Sequence, residues 1–166
     1  MVSDIKSVAK VVALNGGVLT GKTRLQKTIY FMEVLGCGFG FDYEYYHYGP
    51  YCEEINNIID ASIALDLVSV ELRSGSYGVA SAGFLAKGNP GPDSNDSLRV
   101  EVLKKLGSYD AISLELAATA IFLERDGYSD PWGETRRRKS AKSTEARLIK
   151  AKQLVGEVGL DSLTSS

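Results

Sequence analysis

Gly16, Gly21, Lys22 and Thr23, in the stretch GGVLTGKT, stand at the spacing G-x-x-x-x-G-K-T. In that pattern a glycine-rich loop wraps phosphates with its backbone N–H groups, while the Lys and Thr reach phosphate and magnesium. The chemistry requires a buried strand before the loop and a helix after it. Residues 24–35 read as the helix, but the preceding SDIKSVAKVVALN does not read as the strand. Its Ile5, Val8, Ala9 and Val12 recur at i, i+3, i+4 and i+7, with Ser3 or Asp4 as cap, which predicts a helix over about residues 3–15. Gly16 and Gly17 then serve as the helix stop, and Thr23 with Gln26 forms a T-x-x-Q capping box for a second helix over about residues 23–35. A P-loop nucleotide-binding protein is accordingly the third of three functional readings.

Other reactive side chains are sparse. Cys37 and Cys52 lie 15 residues apart and His47 is the single histidine, so the chain offers no all-His/Cys metal site and free thiols are expected. No Ser or Cys nucleophile is arranged near His47 in sequence. The expectation is a non-enzymatic protein without catalytic residues, cofactor or metal.

The elements that position these residues follow from periodicity. Residues 41–47 alternate as a strand closed by Gly49-Pro50, with Pro50 at the first position of a third helix that carries Glu53 and Glu54 in its first turn. Ile55, Ile58, Ile59 and Ile63 give that helix a buried stripe. A hairpin follows: a strand over 67–72, a Ser-Gly-Ser tip and a return strand from Tyr77. The Gly/Pro/Asn/Asp-rich KGNPGPDSND reads as a loop, and helices are expected over about 95–106, 110–125 and 143–156. The fold class is α+β, mostly helical: a winged-helix-like N-terminal part with a small antiparallel sheet, and additional C-terminal helices. One domain is expected, with the winged-helix-like core at 1–84, a loop at 85–96, C-terminal helices at 97–158 and a frayed tail at 159–166. Neither a signal peptide nor an apolar run near 20 residues is evident, so the expectation is a cytoplasmic protein without a membrane partner.

The combination TRLQKTIYFMEVLG, a Tyr-rich strand, HYGPY and an acid-capped helix resembles the Panacea domain of SocA-like antitoxins and the related YwgA-type proteins. Leu25-Gln26-Lys27 with Tyr30, then Tyr48-Gly49-Pro50-Tyr51, carry the resemblance, which covers about the first 70 residues. Where many Panacea proteins have a Trp or a charged residue before the Gly-Pro, this chain has His47-Tyr48. The resemblance implies a protein that binds and neutralises a partner toxin, or an adaptor that feeds clients to a protease.

Charge separates the remaining readings. Net charge is −2, yet residues 136–152 hold eight Lys/Arg against Glu145 alone. The third helix, which would read DNA in a winged helix, offers Glu53, Glu54 and Asp60 on its outward faces, and carboxylates oppose a phosphate polyanion. The basic run TRRRKSAKS reads either as a solvated loop entering the last helix or as a docking patch for an acidic partner or, in an unorthodox mode, nucleic acid. Seven of the fifteen aromatic residues fall between Phe39 and Tyr51, and those on the outer face of the strand are candidate anchors. Arg24 and Lys27, at i and i+3, either pair with Asp42 or Glu44 or meet a partner. The candidate partner-binding residues are therefore Arg24, Lys27, Tyr46, His47, Tyr48, Tyr51, Trp132, Arg136, Arg137 and Arg138, with Trp132 serving as anchor or as core cover. The expected function is protein binding, with a toxin or a protease client as partner and a homodimer as one possible assembly. The alternative is a DNA-binding regulator acting through residues 136–142.

Overall fold

The computed structural model describes residues 4–47, 49–74, 80–88 and 90–160. Tyr48, the hairpin tip at 75–79 with Tyr77, and the tail from 161 lie outside the described residues, and so do the expectations placed on them. Twelve elements are described, in the order α1 (Ser7–Leu14), β1 (Val18–Thr20), α2 (Lys22–Val34), β2 (Glu44–Tyr46), β3 (Gly49–Tyr51), α3 (Glu53–Ala64), β4 (Val68–Ser74), β5 (Ala80–Ala86), α4 (Asp96–Leu106), α5 (Ala111–Arg125), α6 (Pro131–Arg138) and α7 (Glu145–Glu157). The chain is α+β and mostly helical, as its patterning predicts. Its sheets are both antiparallel, one of three strands in the order β1-β5-β4 and one hairpin, β2-β3.

Of the helix expected over 3–15, Ser7–Leu14 is helical; residues 4–6 lead into it as a turn, and Ser3 lies outside the described residues. Val8, Ala9 and Val12 are buried as the repeat requires, whereas Ile5 precedes α1 and is 38% exposed. Gly16, at φ +76°, and Gly17, whose N–H donates to the Val12 carbonyl at 3.1 Å, close α1 in a Schellman-type stop. The phosphate-loop spelling thus has a helix before it and a strand inside it. Val18–Thr20 pairs with Leu85–Gly83, and the Gly21 N–H donates to the Ala82 carbonyl at 2.8 Å.

The capping-box expectation is corrected: α2 begins at Lys22 behind Gly21, with no side-chain cap. Gln26 instead reaches across to Cys52, accepting from its N–H at 3.0 Å and donating to its carbonyl at 2.9 Å. A buried amide that satisfies both backbone groups of one residue outweighs a cap that water can replace. Pro50 does not open α3; it sits in β3 opposite Tyr45, in a two-stranded ribbon where a missing N–H is tolerated. The strand expected over 41–47 is confined to Glu44–Tyr46, and Ile63, expected in the buried stripe, is 42% exposed beyond the reach of the core. The return strand runs to Ala86, two residues into the expected loop.

One core unites these elements. Leu25, Ile29, Phe31 and Met32 of α2 pack with Ile55 of α3, Phe84 of β5 and the nearly all-apolar inner length of α5, all fully or almost fully buried. α5 is the central helix, touching α2, α6, α7 and β3. Arg99 of α4 is 2% exposed; its Nε donates to the Cys37 carbonyl at 2.7 Å and its Nη2 to that of Gly38 at 3.1 Å. Asp96 and Asp93 pair with Nη1 at 3.2 and 3.3 Å, so the buried charge is neutralised and each of its three nitrogens has a partner.

Candidate functional site

The basic run is part helix and part connection: residues 135–138 close α6, and residues 139–143 form the turn that leads to α7. Asp130 caps α6 by accepting from the Gly133 N–H at 3.1 Å, Pro131 occupies the first turn, and Arg136, Arg137 and Arg138 form the last turn. Cations there face the negative end of the helix dipole and are stabilised, the reverse of their expected place ahead of α7. Asp130-Pro131 is the sequence signal for this helix, an N-cap followed by a proline at N1.

The turn at the end of α6 lies against the β2-β3 hairpin. Arg138 places its guanidinium carbon 4.7 Å from the Tyr45 ring centroid and 5.2 Å from that of Tyr128. Its Nη2 donates to the Tyr128 hydroxyl at 2.8 Å and its Nε to Glu134 at 2.8 Å, and the Glu134 bond holds the Arg138 pKa above its ordinary value. The Lys139 ammonium donates to the His47 carbonyl. Between the two elements opens a cleft of about 690 Å³ lined by Tyr45, Tyr46, His47, Arg137, Arg138 and Lys139. Tyr46 is 49% exposed and its ring lies 4.9 Å from that of Tyr51, whose hydroxyl donates to Glu53 at 2.9 Å and accepts from Asn56. Of the expected residues, Tyr46 and His47 on one side and Arg137 and Arg138 on the other are therefore brought together as two walls of one cleft.

Beneath it lies a buried polar cluster that local patterning in the sequence does not announce. Glu115 of α5, 3% exposed, receives Lys139 at 3.3 Å and Lys142 at 3.0 Å. Lys27, 1% exposed, donates to the Pro50 carbonyl at 2.7 Å. Burial lowers its pKa to about 8, against the opposing pull of Glu115, and burial likewise lowers that of Lys139. Gly49 passes Thr119 so closely, at φ +87°, that a Cβ there would sit 2.5 Å from the Thr119 hydroxyl. The hairpin is thus fixed from below by α2 and α5 and from the side by α6.

Other expected site residues lie elsewhere. Arg24 does not pair with Asp42 or Glu44; it donates to the carbonyls of Leu106, at 3.3 Å, and Tyr109, which tie α2 to the end of α4. Lys27 supports the cleft from inside and is closed to a partner. Trp132 is 5% exposed and belongs to the core, with Lys152 Nζ 5.6 Å from its ring. Arg136 points to Glu145, 3.4 Å away, on a different face from the cleft lining. Tyr48 lies outside the described residues. A second depression, of about 280 Å³, is lined by Tyr30, Tyr43 and Phe122 with Glu33, but that carboxylate is engaged by the amides of Phe39, Gly40 and Phe41.

Among the described residues no three His, Cys, Asp or Glu side chains converge as a metal site would, both cysteines are free and buried, and no single helix is long and apolar enough to cross a membrane. No family model matches the chain, and no curated protein matches its sequence.

Proposed function

We propose that the chain is a cytoplasmic, non-enzymatic protein-binding module that takes an acidic segment of a partner protein into the cleft between the β2-β3 hairpin and the end of α6. One observation carries this reading: the exposed Tyr46 ring and the Arg137 and Arg138 guanidinia face a common space of about 690 Å³. Guanidinia present planar pairs of N–H donors that match carboxylates, and a tyrosine gives contact area at small cost in rotamer entropy. The rigid footing supplied by Glu115, Lys27 and Thr119 keeps the walls in place before binding, which lowers the ordering cost of association. In this reading the partner is a toxin that the module neutralises, or a client that it delivers to a protease, as the resemblance to Panacea domains implies.

With the β2-β3 hairpin set aside as an insertion between α2 and α3, the order α1, β1, α2, α3, β4, β5 and the strand arrangement β1-β5-β4 support the winged-helix-like description, and with it the alternative of DNA reading. Charge weighs against that alternative. The outward residues Glu53, Glu54 and Asp60 of α3 are exposed, and Arg73 on the wing is already paired with Glu71 at 2.7 Å.

Titration of isotope-labelled protein with short Glu- and Phe-containing peptides tests the reading. Resonances of Tyr46, His47 and Arg138 should shift with the acidic peptide and not with a Lys-containing control. Shifts spread evenly over the surface, or tight binding of duplex DNA at physiological salt, would refute it.

A further inference from the structure

β4 is an edge of the three-stranded sheet, and its exposed half has the means to pair with itself. β5 covers one side of it in the register Val68↔Ala86 through Ser74↔Ala80. The Lys87 N–H donates to the Leu67 carbonyl at 3.0 Å, one step before that register begins. Hydrogen-bonded and non-bonded pairs alternate along an antiparallel ladder, so Ser69, Glu71 and Arg73 direct their backbone groups to β5, while Val70 and Leu72 direct theirs outward. Along the face shared with Phe84, Val68 is 1% exposed, Val70 42% and Leu72 83%. The strand thus leaves the core while remaining apolar on that face. An exposed edge with free donors, acceptors and a large apolar side chain is a template for another strand.

We infer that two copies of this chain associate by antiparallel pairing of their β4 edges about a two-fold axis at Leu72. The sequence VELRS selects the register. With Leu72 opposite Leu72, Glu71 of each copy stands across from Arg73 of the other, giving two unlike cross-strand pairs. Shifting the axis one residue either way sets Glu71 against Glu71 or Arg73 against Arg73, which is destabilising. The same register lets the outward N–H and C=O of Leu72 bond their symmetry mates, and it continues the three-stranded sheet into one of six strands. Within one chain Glu71 and Arg73 already pair at 2.7 Å, so association builds a four-charge cluster around the axis. The contact is isologous and therefore closes at two copies. It lies on the sheet edge and leaves the tyrosine–arginine cleft free.

Sedimentation velocity of the full chain from low to high micromolar concentration should show a monomer–dimer equilibrium. Glu71→Arg and Arg73→Glu should each weaken dimerisation by about tenfold or more, because each converts both cross-strand pairs to like charge. Mixing the two variants should restore a heterodimer, since the copy with guanidinia at both positions then faces the copy with carboxylates at both, and each cross-strand pair is unlike again. That rescue excludes a purely intrachain role, because the intrachain pair is lost in both variants. Treated with a mild added oxidant that takes up the two electrons and two protons, Leu72→Cys should form a covalent dimer, because the two Cα atoms of such a bonded pair stand roughly 5.5 Å apart, within disulfide reach. A chain that stays monomeric at high micromolar concentration, a dimer indifferent to Glu71→Arg, or a mixture that forms no heterodimer would overturn the inference. Stable binding of a heterologous strand at β4 in place of a second copy would do the same.

Discussion

Lys139 Nζ lies 3.3 Å from Glu115 Oε2, and the two side chains are only 5% and 4% exposed. Lys142 reaches the same carboxylate, and Lys27 is buried within its field. Glu115 is thus what allows three ammonium groups to gather under the hairpin. Glu115→Gln keeps the shape and removes the charge, leaving buried cations uncompensated, and it should cost about 3–5 kcal/mol in urea denaturation. A loss below about 1 kcal/mol would mean that the lysines find other anions or water.

Lys27 should give stability a dependence on pH. Burial lowers its folded-state pKa to about 8, against an ordinary value of 10.5. Below pH 8 it is charged in both states and burial opposes folding; between about 8 and 10.5 the folded state has released a proton that the unfolded chain still holds. Fewer protons bound to the native state means stability that rises with pH across that window, at no more than about 1.4 kcal/mol per pH unit for one group. The buried thiols, whose pKa values burial raises, act in the opposite direction over part of the same range, so the comparison must be made with Lys27→Met. The stability of the wild type relative to Lys27→Met should increase from pH 7.5 to pH 10 in paired urea titrations, and a flat difference would show that Lys27 keeps its ordinary pKa.

The long helices were legible because their apolar repeats are local: Val8, Ala9 and Val12 announce α1, and Ile55, Ile58 and Ile59 announce α3. β1 escaped because three residues, Val18–Thr20, hold no full alternation and the helix stop beside them accounts for both glycines. α6 escaped because PWGETRRR has no apolar repeat; its helix is set by Asp130, Pro131 and the charge of its last turn. Tyr46 and Arg138 could each be nominated from sequence, but their meeting depends on Glu115 drawing in Lys139 and on Gln26 tying down Cys52, 26 residues away. Such pairings are fixed by tertiary packing, and nothing in local spacing encodes them.

Gly49 and Gly16 separate two reasons for glycine. Both have positive φ, +87° and +76°, but a Cβ at Gly16 would meet nothing within 4 Å, whereas at Gly49 it would strike the Thr119 hydroxyl. Gly16→Ala should cost about 1 kcal/mol for the left-handed backbone alone. Gly49→Ala should cost about 2–4 kcal/mol, and Thr119→Ala in the same chain should recover part of it. Equal losses in thermal denaturation would place the strain in the backbone and not in the contact beneath the hairpin.

Arg138 and Arg137 should contribute to partner binding in different ways. The Arg138 side chain is 26% exposed and its plane is held by Tyr45, Tyr128 and Glu134; that of Arg137 is 72% exposed and tethered by Glu134 alone. A preoriented guanidinium in a partly desolvated wall has the character of a binding hot spot, while an exposed one chiefly steers encounter. Arg138→Ala should weaken binding of the acidic peptide about tenfold, mostly through faster dissociation, and Arg138→Lys should not restore it, since an ammonium neither stacks on Tyr45 nor offers paired donors. Arg137→Ala should slow association and flatten its salt dependence with little change in dissociation. Stopped-flow measurements at two ionic strengths distinguish these outcomes. If both variants altered only the salt-dependent association rate, the cleft would act as a diffuse positive patch, and the aromatic wall formed by Tyr45 and Tyr46 would have no part in recognition.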